Sequence, residues 1–429
     1  PALAEVKFGG EYRLRAESRD DTDFWDGNVG GDNTTFYGQR VRLTGVATPT
    51  DDTTVKITIQ DSRTWGEEGT CGLNTDTWCG ILDIHEAFLQ INNFFGAPIA
   101  LKVGTQELVY GDQRLIGSFG WSNNGRHFDA LKLMYSNDMV NVDAFTAKID
   151  ENNGVSSWGT VDEDEVDDDV DFHGIYATIK SIPNNTLDVY ALLYRDGSAA
   201  AVSSEIESDI RTYGARLAGA FAGVDYTAEY ALQSGEVDGC GVTDLCDVDA
   251  NAYAIKLGYT IPGAPMGLRV GAEYDYASGD DDAADDNVET FNQLYPTNHD
   301  KYGYMDQQGW RNMKAWNINV AAKPIAKLGV RLDYWNFALA EDADGWYNAG
   351  GNAPGVARTV CATCSEKMGS EIDVTLNYKY NDAVGIQAGV SRFMAGSGIK
   401  DRLELAYTPA QGEDAEDMDW MYVQITANF

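Results

Sequence analysis

Few residues in this chain have types and spacings that suit chemistry. Six cysteines fall into three local pairs: Cys71 with Cys79, Cys240 with Cys246, and Cys361 with Cys364. Each pair lies within one polar stretch between apolar segments, so in an oxidising compartment each is read as a disulfide stapling a single loop. A metal site would need a second pair nearby. Cys361-Ala-Thr-Cys364 is followed by Ser365, so a haem-attachment signature lacks its histidine. The four histidines, His85, His127, His173 and His299, show no metal-ligand spacing. No nucleophile elbow or glycine-rich phosphate loop occurs. The expectation is neither enzyme nor cofactor, the remaining catalytic reading being an outer-membrane hydrolase assembled from distant strands.

Charge is the other chemical resource. Arg13 with Arg15, and Arg40 with Arg42, are spaced by two, which puts each pair on one face of a strand. Four neighbouring guanidiniums either concentrate anions or pair with acids such as Glu11 and Glu17 along a ladder. Two acidic runs stand apart: residues 162–169, including Asp164 and Asp168, and 280–286, including Asp281 and Asp285. They offer Ca²⁺ or Mg²⁺ sites bridging to lipopolysaccharide phosphates, or a solvated anionic rim. Neither has the spacing and glycine of a calcium loop, so the rim is expected.

The elements that position these residues follow from composition and periodicity. The 429 residues carry 68 acids against 31 bases, a net charge of −37 that repels nucleic acid. With 43% hydrophobic and 11% aromatic residues the chain is not a disordered polyanion. No apolar run is long enough for a transmembrane helix, but a transmembrane strand needs only about 9–11 residues. Abundant Gly, Tyr and Trp and only 10 Pro suit twisted strands with aromatic girdles. Ala2-Leu3-Ala4 reads either as the end of a secretory signal or as a chance small-x-small triplet.

Apolar and polar residues alternate from end to end, as in Val55, Ile57, Ile59 against Lys56, Thr58, Gln60. About 18 segments follow this period of two. They are 4–18, 35–48, 53–64, 81–93, 98–106, 127–136, 139–149, 170–181, 185–195, 208–220, 223–234, 249–261, 266–278, 313–323, 326–338, 369–380, 383–394 and 417–429. Within 396–416, residues 403–407 read as strand or loop. Connections alternate between short turn-formers, such as Ala222-Gly223 and Asn381-Asp382, and long polar stretches. The expected fold is one domain over 1–429, an all-β transmembrane antiparallel barrel of about 18 strands. Short turns would face the periplasm and long loops the cell exterior, with both termini periplasmic. Met421, Val423, Ile425, Ala427 and Phe429 alternate to a terminal Phe, resembling the insertion signal of bacterial outer-membrane barrels.

The apolar set of each strand must then face lipid, and its partners the lumen. By this parity the lumen receives Arg13, Arg15, Arg40, Arg42, Lys56, Lys102, Lys132, Arg216, Arg269 and Arg331, together with Glu86 and interleaved acids such as Glu229, Glu273, Asp275, Asp333, Glu371 and Asp373. The wall is mixed, with a slight basic excess.

The stretch from Leu101 to Ala130, containing Gly111-Asp112-Gln113-Arg114-Leu115-Ile116-Gly117 and Trp121-Ser-Asn-Asn-Gly-Arg-His-Phe-Asp129, resembles the alginate-export family of outer-membrane proteins. Gln60-Asp61-Ser62-Arg63-Thr64-Trp65 and His85-Glu86-Ala87-Phe88 fit the same pattern, so the resemblance covers roughly residues 36–133. It implies a monomeric 18-stranded barrel in the outer membrane of a Gram-negative bacterium. It also implies that Asp112, Arg114, Trp121, Asn124, Arg126 and Asp129 belong to a loop folded into the pore. Thr105 stands where the family usually has Arg, which removes one basic position. The expected function is a porin passing small solutes or ions through a charged lumen. Export of an anionic polysaccharide such as alginate is the second reading, and a scaffold for an extracellular layer or a redox partner the third. Lipid and lipopolysaccharide are the expected surroundings.

Overall fold

The computed structural model describes residues 5–20, 24, 33–66, 81–151, 169–197, 208–237, 245–282, 285–353, 355, 360, 361, 363–406 and 415–429. They form β1 (Glu5–Asp20), β2 (Thr34–Thr50), β3 (Thr53–Thr64), β4 (Ile81–Ile91), β5 (Ile99–Gln106), β6 (Phe128–Ser136), β7 (Val140–Asp150), β8 (Val170–Ile179), β9 (Asn185–Asp196) and β10 (Ser208–Phe221). There follow β11 (Val224–Val237), β12 (Cys246–Thr260), β13 (Arg269–Ala277), β14 (Asn287–Val288), β15 (Met313–Ile325), β16 (Leu328–Ala338), β17 (Lys367–Lys379), β18 (Val384–Ala395), helix α1 (Ser397–Ala406) and β19 (Met418–Asn428). The two-residue β14 pairs with the end of β12 inside a connection. The other 18 strands form one antiparallel sheet, and β1 closes it by pairing with both β2 and β19. Each segment expected from alternation is a strand, because a period of two in side-chain polarity matches a wall with unlike solvents on its two sides.

Residues 397–406 depart from the reading of strand or loop. They form α1, whose buried residues Gly398, Ile399, Arg402 and Leu403 recur at helical spacing. The alternation Leu403, Leu405 is a short coincidence within that helix.

Large side chains such as Leu43, Ile175, Ile255, Leu257, Ile318 and Val423 are exposed on the outer face. The lumen side carries the buried set, and in the loop half of the barrel that set is a core. Phe172, Phe291, Tyr302, Trp310, Trp335, Phe337, Trp346, Phe393 and Ile399 are all buried there. Turns at the other end are tight. Ala222 and Gly223, at φ 53° and 86°, give the two left-handed residues of a hairpin turn whose twist matches its strands.

Three inward aromatics lie directly across the ladder from glycines: Phe145 from Gly174, Tyr190 from Gly214, and Tyr422 from Gly389. In each pair a Cβ on the glycine would collide with the opposite ring. The ring thus covers the glycine, filling space and pinning register. Tyr190 in turn stacks on Tyr176, and Tyr176 on Tyr110, a column from wall to pore loop. Gly214→Val should therefore destabilise the barrel by about 1–3 kcal/mol through overpacking. A urea midpoint equal to that of the native chain would show that the ring does not occupy this space.

Candidate functional site

Residues 107–127, between β5 and β6, turn into the lumen, and residues 289–312, between β14 and β15, meet them there. Backbone bonds join the two: Tyr295 N–H to Leu115 O at 2.9 Å, Gly117 N–H to Tyr295 O at 2.9 Å, and Thr297 N–H to Gln113 O at 2.8 Å. Arg126 donates to Pro296 O at 2.7 Å and has Tyr295 and Phe119 within cation–π range. Burial draws its guanidinium down to about 10 despite Tyr295. The connection 279–312 as a whole was read as an acidic outer segment. Its run Asp281, Asp282, Asp285 and Asp286 is exposed, but the aromatics that follow are buried inside.

Arg114 is the deepest anchor. Its side chain is 1% exposed and it donates to Glu273 Oε1 and, at 2.6 Å, to the Tyr302 hydroxyl. Asp275 Oδ1 lies 3.3 Å away. The first loop is thereby fixed to β13 on the far wall. Asp112 is held by Arg216, whose other nitrogen donates to Asp188 at 3.0 Å. Burial opposes ionisation of Asp112, but Arg216, with Lys256 and Arg114 beyond it, holds the carboxyl below its ordinary range.

The arginine patch on β1 and β2 meets the loop from the near wall. Arg13 and Arg40 are directly opposed in the ladder, and both donate to the carbonyls of Gly120 and Ser122 at 2.8–3.1 Å. Arg40 also bonds Glu11, at 2.8 Å. Arg15 donates to Trp121 O at 2.7 Å, pairs with Glu17 at 2.6 Å and covers one face of the Trp121 ring. His299 stacks on that ring at 3.9 Å. Arg15 and Arg40 thus do pair with the ladder acids Glu17 and Glu11, and together with Arg13 they also clamp loop carbonyls, charge-assisted bonds worth roughly 1.5–3 kcal/mol each when buried. Asn123, which lies in the same motif stretch but was not among the expected site residues, bonds Gln39 O, Arg63 O and Arg13. Asn124 contributes its carbonyl to Gln60 at 2.7 Å.

The remaining wall cations mostly have partners. Arg42 donates to Gln60 at 2.7 Å and lies 3.6 Å from Glu107, which His85 also contacts. Lys56 pairs with Glu86, Lys132 with Asp143 at 3.3 Å, Arg269 with Asp225, and Arg331 with Asp333 at 2.6 Å. Lys102 instead sits over the Phe88 ring at 3.8 Å, directly opposite Lys132. Toward the turn end two recesses of about 440 and 430 Å³ open below the loops. Arg42, Lys56 and Glu86 line the first; Arg13, Arg40, Trp121 and His299 line the second.

Two positions differ from expectation. Asp129 belongs to β6, not to the pore loop, and shares the outward face with Leu131 and Leu133, accepting from Thr105 at 2.7 Å. Thr105 is paired with it and faces outward too, so an Arg there would add nothing to the lumen. Of the cysteines, Cys361 and Cys364 form a disulfide with Cα atoms 5.4 Å apart, and Cys246 is disulfide-bonded. Cys71, Cys79 and Cys240, and the acidic positions Asp164 and Asp168, lie outside the described residues. Among the described residues no three potential ligands gather around a metal position.

Arg114→Ala leaves Asp275, fully buried, without its cation, whereas Glu273 keeps Lys256 at 3.3 Å. Breaking a buried pair costs about 3–5 kcal/mol, so the loop should release and single-channel conductance rise. Unchanged conductance would discard the constriction. The Asp112 latch has the acid-resistant sign: its folded pKa is depressed, so its stabilisation is present above the ordinary carboxylate pKa of about 4 and is lost as pH falls from there through the lowered value. Conductance should be the same at pH 7 and pH 5, and a step between them would show that another group holds the loop.

Comparison with known proteins places the fold beside three Pseudomonas aeruginosa structures. OpdO matches with a TM-score of 0.60 at 13% identity over 100% of this chain and 98% of that one. OpdQ matches with 0.59 at 14% identity over 99% of each chain. The outer-membrane protein OprD matches with 0.59 at 11% identity over 100% and 94%. At these identities the likeness is one of fold alone. No curated protein sequence matches. The model of the family described as alginate export matches residues 4–409, and the chain is therefore a member of the alginate-export family, a β-barrel of the Gram-negative outer membrane.

Proposed function

We propose that this barrel is a passive channel for small solutes or ions, its lumen narrowed by residues 107–127 and 289–312, which would favour compact solutes. The observation that carries this reading is the fate of the wall arginines. Arg13, Arg15 and Arg40 hold the backbone of the loop, and Arg42, Lys56, Lys132, Arg216, Arg269 and Arg331 lie beside acids. A polyanion entering the lumen would find little unpaired basic wall to follow, and selectivity would rest on pore width and on local charge.

The family description supports the second reading, export of an anionic polysaccharide, and Lys102 opposite Lys132 is the one stretch of wall that favours it. In this proposal the long loops face the cell exterior and the tight turns the periplasm.

Planar-bilayer recording decides between them. A steady single-channel current that micromolar polyuronate leaves unchanged is the expected result. Block by polyuronate but not by neutral sugars would replace this reading with export. A barrel that carries no current would remove the channel altogether.

A further inference from the structure

The outward wall of β6–β10 carries a groove of about 460 Å³ on the lipid side. Its floor is made of Ala144, Ala191 and the backbone of Gly174, and its sides of Leu133, Ile175 and Tyr213. A depression of this size leaves room for a chain of methylenes. Strand register sets what stands at its mouth. Thr146, His173, Leu193 and Arg211 lie on one level, and Lys148, Asp171, Arg195 and Asp209 on the next level toward the loops.

That level is the edge of the apolar band. On the turn side of it, β8–β10 present Ile175, Ala191, Tyr213 and Leu217 outward. A guanidinium facing hydrocarbon is costly at mid-depth and nearly free at the interface, so Arg211 marks the height of the lipid head groups. Its side chain is half exposed and meets Asp209 through one nitrogen at 3.3 Å, a carboxylate that also takes Arg195 at 3.1 Å. Donors remain on Arg211, whose planar fork matches phosphate. Across Leu193 from it, His173 and Thr146 are joined at 2.9 Å, which adds an imidazole and a hydroxyl to the far side of the same mouth.

We propose that this groove binds a phosphorylated glycolipid of the outer leaflet, one acyl chain lying over Ala144 and Ala191 and a phosphate held by Arg211 with His173 and Thr146. The proposal rests on the loop end facing the cell exterior. It is independent of what passes through the lumen, since the side chains involved point away from it.

Native mass spectrometry of the purified full chain in detergent tests it, with bisphosphorylated lipid A and its dephosphorylated form added separately. One phosphorylated lipid should be retained per barrel, and the dephosphorylated form should be lost. Arg211→Gln should lower the retained fraction about tenfold, the scale of one charge-assisted contact. Ala191→Phe, which fills the floor, should do the same, and Ala144→Leu serves where the larger side chain prevents folding. Equal retention of both lipids, or retention untouched by the substitutions, would overturn the site. So would a dimer abolished by Ala191→Phe, which would make the occupant a second copy.

Discussion

Hydrocarbon offers the backbone no hydrogen-bond partner, and everything else in this molecule follows from that. A sheet placed there must satisfy every N–H and C=O within itself, which requires closure. The pairing of β1 with β19 supplies it: Leu14 stands opposite Ile425, and Gly10 exchanges backbone bonds with Phe429. Closure fixes an inside and an outside, and the two solvents then dictate the period of two in the side chains. The tight turns and the Gly–aromatic pairs refine register within a topology that closure has already determined.

Closure also moves the polar core to the middle of the barrel. In a soluble protein apolar residues fill the centre. Here many of them face outward, and the loop half of the lumen is filled by chain from several connections, among them residues 107–127, 289–312, 339–348 and helix α1. Buried arginines are suited to holding such chain. Each offers several donors in one plane, and loop carbonyls that have left water need acceptor-matched partners. Arg13 and Arg40 serve the same two carbonyls from adjacent strands, and Arg114 spans to the opposite wall. The constriction is therefore tied to both sides of the barrel.

The strands were legible because alternation is a local consequence of a global constraint, visible in any ten residues. The lumen parity of Arg13, Arg40, Lys102 and Arg331 followed by the same count. What alternation does not carry is the direction a connection takes after its strand ends. Residues 279–312 looked like an acidic outer loop because Asp280 to Asp286 dominate the composition. The aromatics Phe291, Tyr302 and Trp310, buried in the lumen, were the sign that the second half returns inside. Helix 397–406 was missed because Leu403 and Leu405 imitate a strand over too short a window. Asp129 was placed in the pore loop by resemblance to a motif that runs on, without a break in sequence, into β6.

The net charge of −37 divides along the same boundary. Acids such as Asp281 and Asp285 stay exposed in their connection, whereas several lumen acids have a cation, Glu17 with Arg15, Asp333 with Arg331 and Asp188 with Arg216, and Glu371 and Asp373 are held instead by the Met305 N–H and the Ser391 hydroxyl. Removing one member of a buried pair leaves a costly unpaired charge, so within these pairs the two signs hold each other in place. Among the described wall cations, Lys102, over Phe88, is the clearest without an acid partner, and its charge is therefore the one a solute in the lumen would meet least offset.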